Sequence, residues 1–230
     1  MIELVVFLGN PGARYAGNRH NAGRMLAARL PFFETLKWGK KFKGLYAEYP
    51  GDGRPFRFLM PETFMNLSGE SAAKAASFFG IENSAALLVV HDELELPLGT
   101  LSLKEGGGLG GHNGLRSLRA CFGNADFWRL RIGIGRPDSR TPGRGGQVGS
   151  DADIVGWVLS DFSPSEKPAL DAALAAGAGL LLEALEKGPE ALLPEWRKKA
   201  AGGGGRKGPV NTLRKTRPAL PDVIVRRCRT

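Results

Sequence analysis

The sequence predicts a single α/β domain in which helices cover both faces of one sheet. Two observations carry that reading. Short apolar, β-branched runs recur along the chain, as in residues 2–8 (IELVVFL) and 86–91 (ALLVVH). Between them lie segments of helical period, as in residues 68–80 (SGESAAKAASFFG). The order of the strands does not by itself fix which of them run parallel.

The elements follow in chain order. Residues 2–8 are a buried strand that stops at the turn Gly9-Asn10-Pro11-Gly12. From about 21 to 30 the pattern is helical, with Met25, Leu26 and Leu30 on one face. Segments 44–49 and 55–60 are short strands around Pro50-Gly51-Asp52-Gly53. Residues 68–80 are a helix with Ser68 as candidate N-cap and Gly80 as candidate C-cap. A strand over 86–91 ends at Asp92-Glu93. A strand over 100–104 precedes a glycine loop, a helix covers 113–122, and a strand covers 127–134. Residues 137–153 form a polar, glycine-rich loop. Residues 164–187 are an Ala/Leu-rich amphipathic helix that stops at Gly188-Pro189. The expected division is a globular unit over 1–199 and a basic tail over 200–230. The linker AAGGGGRKGP opens that tail, which is expected to be disordered.

Composition excludes some classes. No apolar run is expected to approach the length of a membrane span. The start MIELVVFLGNPG reads as a first strand, not a signal peptide. Cys121 and Cys228 offer neither a disulfide framework nor metal-ligand spacing. A reducing, cytoplasmic location is the expectation. The net charge of +9 suggests nucleic acid, but its distribution matters. Residues 197–230 hold eleven Lys/Arg and one acid, so the other 196 residues are close to neutral. Contacts of the globular part with nucleic acid must come from local patches.

In open α/β sheets, ligands bind beyond the carboxyl ends of the strands. Strand ends here lead to Asn10, to Asp92, to the run ending at Asn66 and, through the glycine loop, to His112-Asn113. If neighbouring strands are parallel, Asn10, Asn66, Asp92 and Asn113 share one rim. His20, at the start of the first helix, can reach it. No G-x-S-x-G nucleophile elbow is present, and His20, His91 and His112 have no zinc-ligand spacing. One histidine with a carboxylate partner can take a proton from water, and carboxamides can hold a substrate carbonyl or an oxyanion. That set suits direct attack of water on an activated ester. Bland readings stand beside it. His20 alone is ordinarily a capping or surface residue, Asp92 a solvated strand end, and Asn10 a good turn residue. Gly106-x-Gly108-x-x-Gly111 matches the dinucleotide fingerprint, but five glycines in six residues make the match nearly automatic. A dinucleotide-binding oxidoreductase and a non-enzymatic tRNA- or ribosome-binding protein remain as rival readings.

Several blocks carry a resemblance: GNPGARYAGNRHNAG (9–23), PETFMNLSGESA (61–72), HDELELPLG (91–99), KEGGGLGGHNGL (104–115), RLRIGIGRP (129–137) and VGWVLSDF (155–162). In order and spacing the chain resembles the bacterial-type peptidyl-tRNA hydrolases over roughly residues 1–195. The resemblance implies a three-layer αβα domain with a mixed, mostly parallel twisted sheet. It implies hydrolysis of the ester bond of peptidyl-tRNA released prematurely from the ribosome, without cofactor or metal, by a monomer that contacts the acceptor stem and 3′ end. It implies His20 as general base, Asp92 as its support and Asn10 as the residue that distinguishes N-blocked substrates. Tyr15, Phe64, Asn66 and Asn113 match substrate-contacting positions, with Met65 beside them. Lys104 and Arg131 match a clamp for the tRNA 5′ phosphate. The chain departs from the family pattern at Phe7, where glycine is usual, and at Asn18, where threonine is usual. Phe7 is expected to alter packing beneath Asn10. The loop over 138–152 and the tail after about 200 are longer than usual.

Overall fold

The computed structural model describes residues 1–51, 53–137 and 151–193. Its seven strands are β1 (Leu4–Phe7), β2 (Gly39–Lys41), β3 (Gly44–Tyr49), β4 (Phe56–Pro61), β5 (Leu87–Glu93), β6 (Leu101–Glu105) and β7 (Trp128–Gly133). They form one sheet in the order β2-β3-β4-β1-β5-β7-β6. The four central strands β4, β1, β5 and β7 are parallel, while β3 and β6 join them antiparallel. The expected mixed, mostly parallel sheet is therefore present. Central strands buried on two faces read as continuous apolar runs, and β1 is buried at all four residues.

The helices are α1 (Ala22–Ala27), α2 (Ser68–Phe79), α3 (Asn113–Phe122), α4 (Asp151–Val158) and α5 (Lys167–Lys187). One core layer joins Val5, Phe7, Leu88, Val90 and Leu130 to Leu26 of α1 and Leu174 and Leu181 of α5. The opposite layer joins Leu4, Val6, Leu87 and Val89 to Ala72 and Ala75 of α2 and to Leu115 and Leu118 of α3. Alternation along each strand sends successive side chains to opposite layers. Phe7 belongs to the first layer, where its ring lies 6.0 Å from that of Phe58.

Several expectations change. The helix expected over 21–30 is only Ala22–Ala27, and Leu30 enters the same core from the turn that follows. Ser68 does not cap α2. A 3-10 turn over Met65–Leu67 leads straight into the helix, and the Ser68 hydroxyl is buried without a partner among the described residues. Gly80 does end α2, in the left-handed region with φ 65°. Strand β2 was not anticipated. Three exposed residues, a glycine and two lysines, give no hydropathy signal, and lysine suits a sheet edge. The end of the expected polar loop, residues 151–153, opens α4. Its residues 138–150, the boundary at 199, the tail and the linker lie outside the described residues.

Helix α5 also corrects the reading of apolar runs. An 18-residue stretch within its 21 residues, with a mean hydropathy of 1.4, is long and apolar enough to cross a membrane. Half of that stretch is buried inside the protein, and a Cβ at Gly177 would lie 2.6 Å from Leu26 of α1. Its apolar character serves helix packing.

Candidate active site

The parallel arrangement of β4, β1 and β5 places their carboxyl ends side by side. Beyond β1 the chain turns at Asn10, beyond β4 it runs to Met65, and β5 itself carries Asp92. A 3-10 turn over Arg19–Asn21 precedes α1 and carries His20 to this edge. Helix α1 can lie this close because residue 23 is glycine. A Cβ there would meet the carbonyl oxygens of Val90 at 2.5 Å and Leu8 at 2.6 Å.

His112 reaches the same edge by a different route from the one expected. Strand β6 is antiparallel, and its end, Glu105, lies opposite Trp128 at the start of β7. The glycine segment after it travels back along the sheet face. Gly108 accepts a hydrogen bond from Arg129 at 2.8 Å, and Gly110 passes close to Glu93 before His112 opens α3. The glycines thus serve a return path over side chains. A dinucleotide fingerprint needs a parallel strand feeding its helix, so the oxidoreductase reading loses its support.

At the centre, Asp92 faces two imidazoles. His20 Nδ1 lies 2.9 and 3.0 Å from the two carboxylate oxygens, and His112 Nε2 lies 3.0 Å from Oδ1. All three side chains are nearly buried. Burial alone would raise the Asp92 pKa, but the neighbouring His20 and His112 hold it well below the usual carboxylate range. An ionised Asp92 can only accept, so His20 Nδ1 carries the proton and Nε2 keeps its lone pair. No partner among the described residues occupies that nitrogen. Burial lowers the His20 pKa, but the Asp92 charge and hydrogen bond outweigh it, and the net shift is upward from 6.5. His91 differs. It is fully buried, donates from Nδ1 to the Asp92 carbonyl, and burial together with His112 holds its pKa well below 6.5.

His112 was not anticipated as a partner of Asp92. Its Nδ1 accepts the backbone N–H groups of Gly114 at 3.1 Å and Leu115 at 3.4 Å, capping α3. The signal available was a histidine immediately before a helical segment. The cap fixes the proton on Nε2. It also bears on metal binding, because His20, Asp92 and His112 present ligand atoms within 4.8 Å of one another. Coordination through His112 Nε2 would need the proton on Nδ1, against two N–H donors. The donor set therefore does not fit a metal ion while α3 keeps its cap.

The three residues border a cleft of about 300 Å³, lined also by Asn113, Arg116 and by Ile154, Val155 and Val158 of α4. Asn10 is not among the residues that line this cleft; it stands toward β4, against Met65. Its backbone is held by Asn21 through two hydrogen bonds of 2.8 and 3.0 Å, and its Oδ1 accepts the Met65 N–H at 2.9 Å. That leaves Nδ2 without a partner among the described residues. Met65 is buried against the position of Gly114, while Phe64 and Asn66 are exposed beside it. Tyr15 is half-buried in its own 3-10 turn under the Arg14 guanidinium. None of Tyr15, Phe64, Met65 and Asn66 lines the His20 cleft. Lys104 and Arg131 sit apart from it on β6 and β7, and Arg131 is paired with Glu93 at 2.9 Å.

Comparison with known proteins bears on the family and the fold. The peptidyl-tRNA hydrolase family profile matches residues 4–202. The peptidyl-tRNA hydrolase of Treponema pallidum is 45% identical over 204 residues, covering 86% of this chain and 96% of that protein. That of Haemophilus influenzae strain 86-028NP is 47% identical over 176 residues, covering 75% and 84% respectively. The crystal structure of the Acinetobacter baumannii peptidyl-tRNA hydrolase superposes with a TM-score of 0.71 at 35% identity, covering 84% of this chain and 91% of that one. Sequence over most of the length and fold at the level of the whole sheet agree, and the chain belongs to the peptidyl-tRNA hydrolase family.

Proposed function

We propose that His20 is the general base of peptidyl-tRNA hydrolysis. His20 Nε2 takes a proton from water as the water attacks the ester carbonyl that joins the peptide to the 3′ ribose. The carbonyl carbon becomes tetrahedral, and its collapse expels the ribose hydroxyl, which recovers a proton from the imidazolium. Asp92 holds the ring by Nδ1 and stabilises the cation formed in the transition state. The observation that carries this reading is the Asp92 carboxylate at 2.9 and 3.0 Å from His20 Nδ1. Asn113 or Asn66 donates to a substrate carbonyl or the oxyanion.

Asn10 supplies the discrimination. With Oδ1 engaged by Met65, its Nδ2 is the group left to meet substrate. An N-blocked residue presents an acyl carbonyl that can accept from Nδ2. A free α-amino group is an ammonium with donors only, which leaves the buried amide unanswered. Tyr15, Phe64 and Met65 border the peptide and the 3′ end, and Lys104 and Arg131 meet the 5′ phosphate. The same proposal includes a metal-independent monomer acting in the cytoplasm.

The test is His20→Ala with peptidyl-tRNA. Turnover is expected to fall by about 10²–10⁴-fold, the usual contribution of a positioned base, with tRNA binding retained. Near-normal turnover would remove His20 from the role.

A further inference from the structure

The residue before the proposed base is an arginine that is almost wholly buried, at 3% exposure. Arg19 does not point at the cleft. Its guanidinium reaches across 140 residues of sequence to the connection between α4 and α5. Nη1 donates to the Ser160 carbonyl at 3.3 Å, the Ser160 hydroxyl at 2.8 Å and the Asp161 carbonyl at 2.5 Å. Nη2 forks onto Glu166 at 2.8 and 2.7 Å. The guanidinium also lies over the Trp157 ring at 3.8 Å and near Phe162 at 4.9 Å.

The backbone joins the same two segments. Arg19 N–H donates to the Ser160 carbonyl at 3.0 Å, and Asn18 and Asp161 form an isolated bridge. Asn18 Nδ2 adds a bond of 2.5 Å to Asp161 Oδ1, the use this chain makes of its unusual Asn18. Glu166 keeps its charge. Burial would raise its pKa, but Ser163 and Arg19 outweigh that and lower it.

What this clasp holds is a wall of the site. Helix α4 ends at Val158, two residues before Ser160, and Ile154, Val155 and Val158 line the His20 cleft. Trp157, under the Arg19 guanidinium, also donates from Nε1 to the Gly135 carbonyl at 2.9 Å. We infer that Arg19 is a positioning residue: it fixes the apolar α4 wall against the turn that carries His20, and so sets how substrate packs in the cleft. A lysine cannot replace it, because one ammonium cannot fork onto Glu166 and also reach two carbonyls and a hydroxyl. The inference rests on peptidyl-tRNA hydrolysis as the activity but not on His20 as the base.

The consequence is kinetic. A displaced wall weakens packing of substrate and transition state alike, which raises KM and leaves kcat nearly unchanged. The titratable groups of the cleft keep their partners, so the pH profile does not move.

The experiment compares Arg19→Lys, Glu166→Gln and, as a control for loosened packing, Leu185→Ala in the α5 core away from the cleft. KM and kcat for peptidyl-tRNA and the pH dependence of kcat/KM are measured on folded protein. Arg19→Lys is expected to raise KM about tenfold, as when one aliphatic side chain of the wall no longer packs on substrate, with kcat and the pH profile retained. Glu166→Gln is expected to raise KM less, and Leu185→Ala not at all. Should Arg19→Lys not fold, Glu166→Gln against Leu185→Ala decides. A native KM in Arg19→Lys, or in Glu166→Gln where it alone decides, would overturn the inference. So would an equal rise in Leu185→Ala, or a moved pH profile with unchanged KM.

Discussion

Asp92 holds two imidazoles whose protons are fixed for different reasons. His112 must carry its proton on Nε2 because its Nδ1 caps α3, and His20 must carry its own on Nδ1 because Asp92 is ionised. An asparagine serves the two rings unequally. Its oxygen can take the Oδ1 position that both rings share, but its NH₂ then stands at the Oδ2 position and turns donors on His20 Nδ1. His112 is pinned, so in Asp92→Asn the His20 ring is driven toward the tautomer that has lost its Nε2 lone pair. Turnover should fall, though less than in His20→Ala. The pH dependence carries the sign. With His20 as the proposed base the neutral imidazole is the active form, so kcat/KM should rise through a His20 pKa that Asp92 places above 6.5. Removing the charge removes the cause of the upward shift, and burial then dominates. The acid limb of kcat/KM should move to lower pH in Asp92→Asn, and a limb that stays in place would mean another group controls it. At this scale the sequence was informative about His20, Asp92 and Asn10, which lie at strand ends and in motif blocks. It was silent on His112 as a partner of Asp92 and on Arg19, because their partners lie 20 and more than 140 residues away and no local pattern encodes those contacts.

Elements bring these side chains together through close backbone approaches. The 3-10 turn that carries His20 is continuous with α1, and α1 rests directly on Val90 and Leu8 at Gly23. Adding one methyl group in Gly23→Ala would lift the helix from the sheet. Thermal or denaturant unfolding should show a loss of about 1–3 kcal/mol, with activity reduced even where the protein is folded. Wild-type stability in that variant would mean α1 moves without cost. Most elements were readable from the hydropathy pattern, since 44–49 agrees with β3 and 113–122 with α3, while the exposed β2 was not. Strand direction was not. A strand reads the same in either direction, and β6 turned out antiparallel, with the glycine loop restoring His112 to the rim. The short helix α1 fell below expectation because the chain tightens into a turn after Ala27, where the Arg29 and Leu30 N–H groups donate to the Leu26 and Ala27 carbonyls, before the apolar period ends.

The whole molecule separates charge from chemistry. Residues 197–230 carry a net charge of +10 and the rest of the chain −1, while the described domain holds the His20 cleft. Truncation at about residue 200 is expected to preserve hydrolysis and to weaken salt-sensitive tRNA affinity, measured as the slope of log affinity against log salt. Loss of turnover at saturating substrate would place part of the site in the tail. Composition alone pointed to nucleic acid through residues 197–230, outside the cleft, whereas motif order over residues 1–195 pointed to the fold and the activity together. The central claim is that this cleft cleaves an ester and selects N-blocked substrates through Asn10. Its most direct test is the ratio of kcat/KM for N-acetyl-aminoacyl-tRNA over free aminoacyl-tRNA, measured for the intact chain and for Asn10→Ala. A ratio on the order of 10² or more is expected in the intact chain, because a buried polar group would otherwise be left unpaired, and a narrower one in Asn10→Ala. Equal rates on the two substrates, or a ratio unchanged by Asn10→Ala, would contradict it.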